Sequence, residues 1–314
     1  MKIAILDDYQ DACRSLAAWS VLAGHDVTVF RDTLKDAPAL VERLKDFEGL
    51  VLIRERTRLP GAILDRLPKL RALSQTGKAG PHIDLAACKR LGIVVLEGSG
   101  SPYATAELTW GLILAAMRHI PQEVENLRKG GWQQTVGRGL HSRTLGVYGL
   151  GRIGSVVAGY GKAFGMKVLV WGREGGLERA RAAGFETAAS REAFFAACDV
   201  LSVHIRLTPD TRGLIKPADL ALMQPDAVFV NTSRAELVAP GALVSALTAG
   251  RPGFAAVDVY EEEPVVGAAH PLLGLPNAIC TPHLGYVEKD GYELYFGAAF
   301  SNLATFAMSQ TWSA

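Results

Sequence analysis

Three side chains in the C-terminal half carry complementary chemistry: Arg234 in "NTSRAELV", Glu263 in "VDVYEEEP" and His283 in "TPHLG". Reducing a 2-keto acid needs a cation to bind the carboxylate and polarise the ketone. It needs a general acid for the oxygen, and a carboxylate that keeps this acid protonated near neutral pH. Arginine, histidine and glutamate supply these in that order. Taken singly, each residue has an ordinary role as a surface ion pair, a solvated acidic loop or a packed turn residue. Their joint appearance behind a nucleotide-type turn is what points to chemistry.

That turn is Gly149-Leu150-Gly151-Arg152-Ile153-Gly154. A short apolar strand precedes it, a helical segment follows, and a second strand arrives on time, the context that makes such a turn a dinucleotide site. Gly149 makes the tight turn, Gly151 lets backbone approach a pyrophosphate, and Gly154 lets helix pack on strand. Amides at the helix start bind the phosphates. The next strand ends in "VWGREGG", where an acidic residue would grip the ribose of NAD. Gly172 stands there instead and removes the repulsion of a 2′-phosphate, while Arg173 offers a planar fork of donors. The reading favours NADP(H), with NAD(H) kept open: Glu174 follows and offers the acid in a shifted turn, and Arg173 also suits a solvated turn.

The elements that must position these groups are legible as alternating strands and helices. Strands are expected at "IAIL", "DVTVF", "GLVLI", "RALS" and "IVVLE", then a long helix from Ser101 to His119 with Pro102 at its first position. A second strand series reads "TLGVYG", "KVLVW", "DVLSVH", "AVFVN", "FAAVDV" and "AICT", with helices at Leu177–Ala183, Arg191–Ala197 and Gly241–Ala249. Continuous apolar strands separated by helices mean α/β architecture with parallel sheets covered on both faces. Two series mean two doubly wound domains, the second a Rossmann dinucleotide-binding domain. The flexible "EGSGS" marks their boundary, and a helical tail follows His283.

The 314 residues carry a formal charge of +1, which points to neither nucleic acid nor an anionic membrane as partner. The apolar start is too short for a signal sequence, and "LTWGLILAAM" is about half a bilayer span. The four cysteines are scattered and read as reduced, buried thiols of a cytoplasmic protein. No metal site is expected, since His82, His119 and His141 are isolated.

Taken together, "TLGVYGLGRIG", "CDVLSVHIRLTPDTRGLI", "MQPDAVFVNTSRAELV", "AAVDVYEEEP" and "HPLLGLPNAICTPHLG" resemble the D-isomer-specific 2-hydroxyacid dehydrogenases, in family order and over nearly the whole chain. The resemblance implies that Arg234 is the substrate arginine, Glu263 the partner and His283 the acid/base. It implies cofactor contacts at Gly149, Gly151, Arg152, Ile153, Gly172, Arg173, His204, Arg206, Thr208, Thr232, Ser233, Asp258 and Gly285. Substrate carboxylate would lie on the turn of Gly77, Lys78 and Ala79, with Arg54 a weaker candidate. Substrate would sit in a cleft between domains that closes on it. The tail would return to the first domain, giving residues 1–100 plus 285–314 as a discontinuous substrate domain and 101–284 as the cofactor domain. A homodimer through the cofactor domain is expected.

Departures from the family pattern matter. Lys78 either adds positive charge near the substrate or points to solvent; Arg54 either contacts substrate or pairs with Glu55. Arg206 replaces a usual proline and offers a second 2′-phosphate contact. Tyr286, where glycine is usual, narrows the pocket beside His283. The expected activity is hydride transfer between NAD(P)H and a small 2-keto acid, of glyoxylate/hydroxypyruvate reductase type. The runner-up is 3-phosphoglycerate dehydrogenase, in a form too short for a C-terminal regulatory domain. Formate dehydrogenase fits less well because it resembles the pattern with Gln at Glu263. A non-catalytic nucleotide-sensing protein is the alternative from another class.

Overall fold

The apolar runs form two parallel sheets in a computed structural model that describes residues 1–311. The chain divides into two units, Met1–Ser101 with the segment from Val287, and Pro102–Tyr286. In the first unit β1 (Lys2–Ile5), β2 (Asp26–Val29), β3 (Gly49–Leu52), β4 (Ala72–Gln75) and β5 (Val94–Glu97) pair in the order β2-β1-β3-β4-β5. The central strands "GLVL" and "ALSQ" are buried throughout, as strands covered on both faces must be. Helices α1 (Ala37–Leu44), α2 (Gly61–Leu64) and α3 (Leu85–Leu91) connect them. Asp36 and Asp84 cap α1 and α3 by accepting from Ala39 N and Ala87 N, each at 2.9 Å.

The tail helix, Lys289–Thr311, belongs to this unit. It buries Tyr292, Tyr295, Phe296, Phe300 and Leu303, and Phe300 meets Trp19 edge-on at 6.1 Å. Its Glu293 accepts the Ala17 amide at 2.8 Å. A residue of this size, fully buried, stabilises by roughly 1.5–3 kcal/mol. The aromatic spacing along the tail therefore decides which unit it joins.

The second unit contains β6 (Thr144–Tyr148), β7 (Lys167–Trp171), β8 (Glu186–Thr187), β9 (Val200–Val203), β10 (Val228–Asn231), β11 (Phe254–Val257) and β12 (Ala278–Cys280). They pair in the order β12-β11-β10-β9-β6-β7-β8, all parallel. Its helices are α4 (Tyr103–Met117), α5 (Ile120–Arg128), α6 (Arg152–Ala163), α7 (Glu174–Ala182), α8 (Arg191–Ala197), α9 (Pro217–Ala221) and α10 (Ala242–Thr248). The order reverses between β6 and β9, the switch point where open α/β sheets bind ligands. Register makes the site possible. Tyr148 lies beside both Trp171 and Val203, Val203 beside Asn231, and Val257 beside Asn231 and Cys280. The strand ends thus form one edge, and the loops leaving it carry the chemistry.

Some expectations shift. Pro102 is the cap of α4 rather than its first residue, with φ −79° and ψ −16°, and the helix starts at Tyr103. α7 starts at Glu174, three residues earlier than its apolar pattern suggests, because the glycines at 175 and 176 hide its first turn. The two-residue β8 is too short to be read, and α5 escapes the reading although Ile120, Val124 and Leu127 recur along it at helical spacing. Cys13, Cys88 and Cys198 are buried as expected, but Cys280 is only half-buried. Among the described residues no helix is long and apolar enough to cross a membrane.

Candidate active site

The glycine turn has the geometry its sequence requires. Gly149 leaves β6 with φ +99° and donates to Trp171 O at 2.8 Å; a Cβ there would lie 2.7 Å from the His204 carbonyl. A Cβ at Gly154 would overlap the Gly149 carbonyl, so α6 packs this close only with glycine. Gly151, the cap of α6, faces open space. An uncovered backbone at a helix N-terminus fits a dinucleotide pyrophosphate. His204, at the end of β9, bonds Ser202 Oγ through Nε2 at 2.8 Å, and burial pushes its imidazole down to about 4. It is a neutral seat for the turn.

β7 ends on Trp171, and Gly172-Arg173 follow. Gly172 carries no side chain where its Cβ would come within 3.6 Å of Gly149 Cα. Arg173 is exposed and caps α7 with no side-chain bond among the described residues. Glu174, the alternative ribose ligand, is turned to Arg181 Nη1 at 2.9 Å and is 66% exposed. On the loop after β9, the Arg206 carbonyl accepts Thr211 Oγ1 at 2.8 Å and Thr208 N donates to the same hydroxyl at 2.7 Å. These bonds shape the loop and leave the Arg206 side chain exposed.

Arg234, Glu263 and His283 follow β10, β11 and β12, three neighbouring strands. Asn231 closes the turn that presents Arg234: its Nδ2 donates to Arg234 O at 2.9 Å and its Oδ1 accepts Ser233 N at 3.0 Å. Ser233 Oγ donates to Val203 O at 2.9 Å, and Thr232 shares a 2.7 Å bond with Thr109 of α4. His283 Nδ1 meets Glu263 Oε2 at 2.5 Å. An ionised carboxylate only accepts, so Nδ1 carries the proton, and Nε2 makes no bond among the described residues. Glu263 Oε1 accepts the Tyr260 amide at 3.0 Å. Burial alone would raise the Glu263 carboxyl. The His283 bond and charge, the Tyr260 amide and Arg234 outweigh it and hold it below the ordinary carboxylate range.

His283 has φ 53°, left-handed backbone that a non-glycine residue adopts only when its surroundings hold it there. Asp258 supplies the hold. Fully buried, it accepts from Thr281 Oγ1 at 2.6 Å, Leu284 N at 2.7 Å and Gly285 N at 2.8 Å. Burial, outweighing these bonds, raises its carboxyl. Thr105 of α4 adds a bond to Gly285 O at 2.7 Å. Tyr286 stands edge-on to the His283 ring at 5.3 Å, where the sequence put it.

In the first unit Arg54 is also left-handed, at φ 53°. Gln75 Nε2 donates to its carbonyl at 2.6 Å, and its own amide donates to Thr76 Oγ1 at 3.1 Å. Its guanidinium lies against Gly77, where any Cβ would collide with it, and 5.8 Å over the Tyr295 ring. Lys78 takes the solvent-facing of its two expected places: 75% exposed, it pairs with Glu97 at 2.9 Å, and the Ala79 amide donates to the same carboxylate at 2.8 Å. Asp8, Asp11 and Cys13 bring ligand atoms within 4.8 Å of one another. Asp8 accepts the Cys13 amide, Asp11 pairs with Arg14, and burial pushes the Cys13 thiol up, so the group serves the fold.

Comparison with known proteins agrees with this geometry. A model of the NAD binding domain of D-isomer specific 2-hydroxyacid dehydrogenases matches residues 110–285. The glyoxylate reductase of Aeropyrum pernix is 38% identical over 263 residues, 81% of this chain and 78% of that protein. The D-3-phosphoglycerate dehydrogenase of Methanocaldococcus jannaschii is 38% identical over 249 residues, 78% of this chain but 47% of its own length. The chain thus spans about half the length of that relative. The crystal structure of a phosphoglycerate oxidoreductase from Vibrio cholerae has a TM-score of 0.96 at 55% identity, covering 98% of this chain and 99% of that one.

Proposed function

Because this chain belongs to the D-isomer-specific 2-hydroxyacid dehydrogenase family, we propose that it transfers hydride between a nicotinamide dinucleotide and a small 2-keto acid, with a D-2-hydroxy acid as the reduced partner. The observation that carries this is the His283–Glu263 pair at 2.5 Å on the same sheet edge as Arg234 and the glycine turn. A bound nicotinamide supplies the hydride. The amides of Gly151, Arg152 and Ile153 would hold the pyrophosphate at the α6 N-terminus. Thr232, Ser233, Asp258 and Gly285 would line the site that holds the cofactor. Arg234 holds the carboxylate and polarises the ketone. His283 Nε2 gives its proton to the oxygen, and Glu263 stabilises the imidazolium before transfer. Arg54 and the backbone amides of Gly77 and Lys78 are proposed carboxylate ligands, while the Ala79 amide is held by Glu97.

We also propose that NADP(H) is favoured over NAD(H). Three features support it: Gly172 in the acid's place, an Arg173 without a side-chain partner among the described residues, and Glu174 drawn away to Arg181. The exposed Arg206, on the loop shaped by Thr208, extends the basic surface. A 3-phosphoglycerate dehydrogenase reading is the runner-up, supported by the names of relatives. The Lys78–Glu97 pair weighs against it, since it neutralises a cation that a phosphorylated substrate would use.

The test is initial rates with glyoxylate, hydroxypyruvate, pyruvate and phosphohydroxypyruvate, each with NADPH and NADH. The expected result is kcat/KM at least about tenfold higher with NADPH and highest for an unphosphorylated acid. A best rate with phosphohydroxypyruvate selects the runner-up. Tight cofactor binding with no turnover selects a nucleotide sensor.

A cytoplasmic homodimer is proposed as the working form. In the second unit Ile120, Val124 and Leu127 expose one apolar stripe of α5, and Trp132 and Val136 beyond it are 76% and 92% exposed. Sedimentation at micromolar concentration should give a dimer, and Leu127→Asp should give a monomer; a wild-type monomer refutes the proposal.

A further inference from the structure

Arg179 lies outside every motif named so far, yet it reaches the glycine turn. Its Nη2 and Nε donate to the Leu150 carbonyl at 3.0 and 3.3 Å. Long side chains on helices lean toward the N-terminus, and this one runs back along α7 over Gly175 and Gly176. A Cβ at Gly175 would lie 3.8 Å from Nη1, and one at Gly176 3.8 Å from Nη2. The two glycines leave the guanidinium uncovered. Nη1 makes no bond among the described residues.

The charges around it are arranged in one direction. Arg173 caps the same helix and has no side-chain partner among the described residues. Glu174, the acidic group of that turn, is committed to Arg181. The Glu174 and Gly175 amides, the first two of α7, make no backbone bond among the described residues and lie at the positive end of its dipole, while the Gly176 amide is taken by Arg173 O at 2.8 Å. An arginine whose fork is half used on a neutral carbonyl, rather than on a carboxylate, keeps its full charge and a free donor edge. Leu150 belongs to the turn that would hold the pyrophosphate, and α7 starts at the strand-end turn where the ribose would lie, so Arg179 links the two.

We infer that Arg179 is a second 2′-phosphate ligand, and that with Arg173 it forms a two-armed clamp that sets the cofactor preference. The inference rests on the NADP(H) reading above and adds Arg179 to the arginines that reading already uses. Arg173 approaches from the strand-end turn and Arg179 from the second turn of α7. Two guanidinium groups on one phosphate discriminate more steeply than one, because each adds charge-assisted bonds that NAD(H) has nothing to receive.

Calorimetric titration of the full chain with 2′,5′-ADP and with 5′-AMP tests this without relying on activity. Wild type should bind 2′,5′-ADP more tightly. Arg179→Gln keeps a donor for Leu150 O and should weaken 2′,5′-ADP by about 10–100-fold, while changing 5′-AMP by less than about twofold. Arg173→Gln should behave alike. Equal weakening of both nucleotides by Arg179→Gln would mean that Arg179 only props the turn, and would overturn the proposal. So would its loss without effect while Arg173→Gln still abolishes discrimination, an outcome that leaves the NADP(H) reading standing. If wild type fails to discriminate the two nucleotides, both fall together.

Discussion

A His283→Ala variant is expected to lose about 10²–10⁴-fold in kcat while binding the dinucleotide as tightly as the parent. The His283 ring is the group whose free nitrogen faces away from Glu263, and its backbone sits at φ 53° under the bonds that Asp258 makes to Leu284 and Gly285. None of those bonds passes through the imidazole, so the glycine turn and the α6 N-terminus stay as they are. Removing the ring does strip Glu263 of its 2.5 Å partner and leaves a half-buried carboxylate with the Tyr260 amide as its remaining bond among the described residues. Stability should therefore fall as well, by roughly 1–3 kcal/mol. His283→Gln separates the two effects: an amide can donate to Glu263 and restore stability, but it cannot deliver a proton. Single-turnover reduction rates, cofactor titration and thermal melts on both variants make the check. Turnover in His283→Gln within about threefold of wild type would remove His283 from the mechanism.

The amino-acid sequence made the chemistry legible because each reacting group sits just past a strand of continuous apolar residues. The glycine spacing demanded a turn, and the turn demanded a strand and a helix around it. What stayed hidden depends on contacts between distant elements. Thr109 reaches Thr232 across 123 positions, and Thr105 reaches Gly285 across 180. No local pattern reports such pairs, since threonine inside the apolar helix α4 reads as ordinary packing. Asn231 and Thr281 lie within recognisable motifs, but their roles as clamps on Arg234 and Asp258 arise only from the folded backbone around them. Lys78 shows the reverse case. Its charge was plain, but its partner Glu97, 19 positions on, closes β5 and gave no sign of turning toward the glycine-rich turn. Arg179 escaped because a helical arginine six residues past Arg173 looks like a solvated face.

Replacing Arg234 should damage both kinetic constants, in contrast to His283. Its guanidinium is proposed to grip the carboxylate in the ground state and to polarise the ketone as charge develops on oxygen. Two charge-assisted bonds at about 1.5–3 kcal/mol each set the scale, so Arg234→Gln should cost about 10²–10⁴-fold in kcat/KM, with KM rising and kcat falling. Arg234→Lys keeps the charge but not the planar fork, and should recover only part of the loss. The turn itself should survive, because Asn231 holds the backbone carbonyl and amide on either side of the side chain. A second readout follows from electrostatics. Arg234 is one of the groups that offset burial and hold Glu263 below the ordinary carboxylate range. Without it Glu263 takes up a proton at higher pH, and the acid limb of kcat/KM should move upward in Arg234→Gln but less in Arg234→Lys. A rise in KM alone, with kcat and the acid limb unchanged, would mean that Arg234 binds substrate and transition state equally and has no part in polarising the ketone.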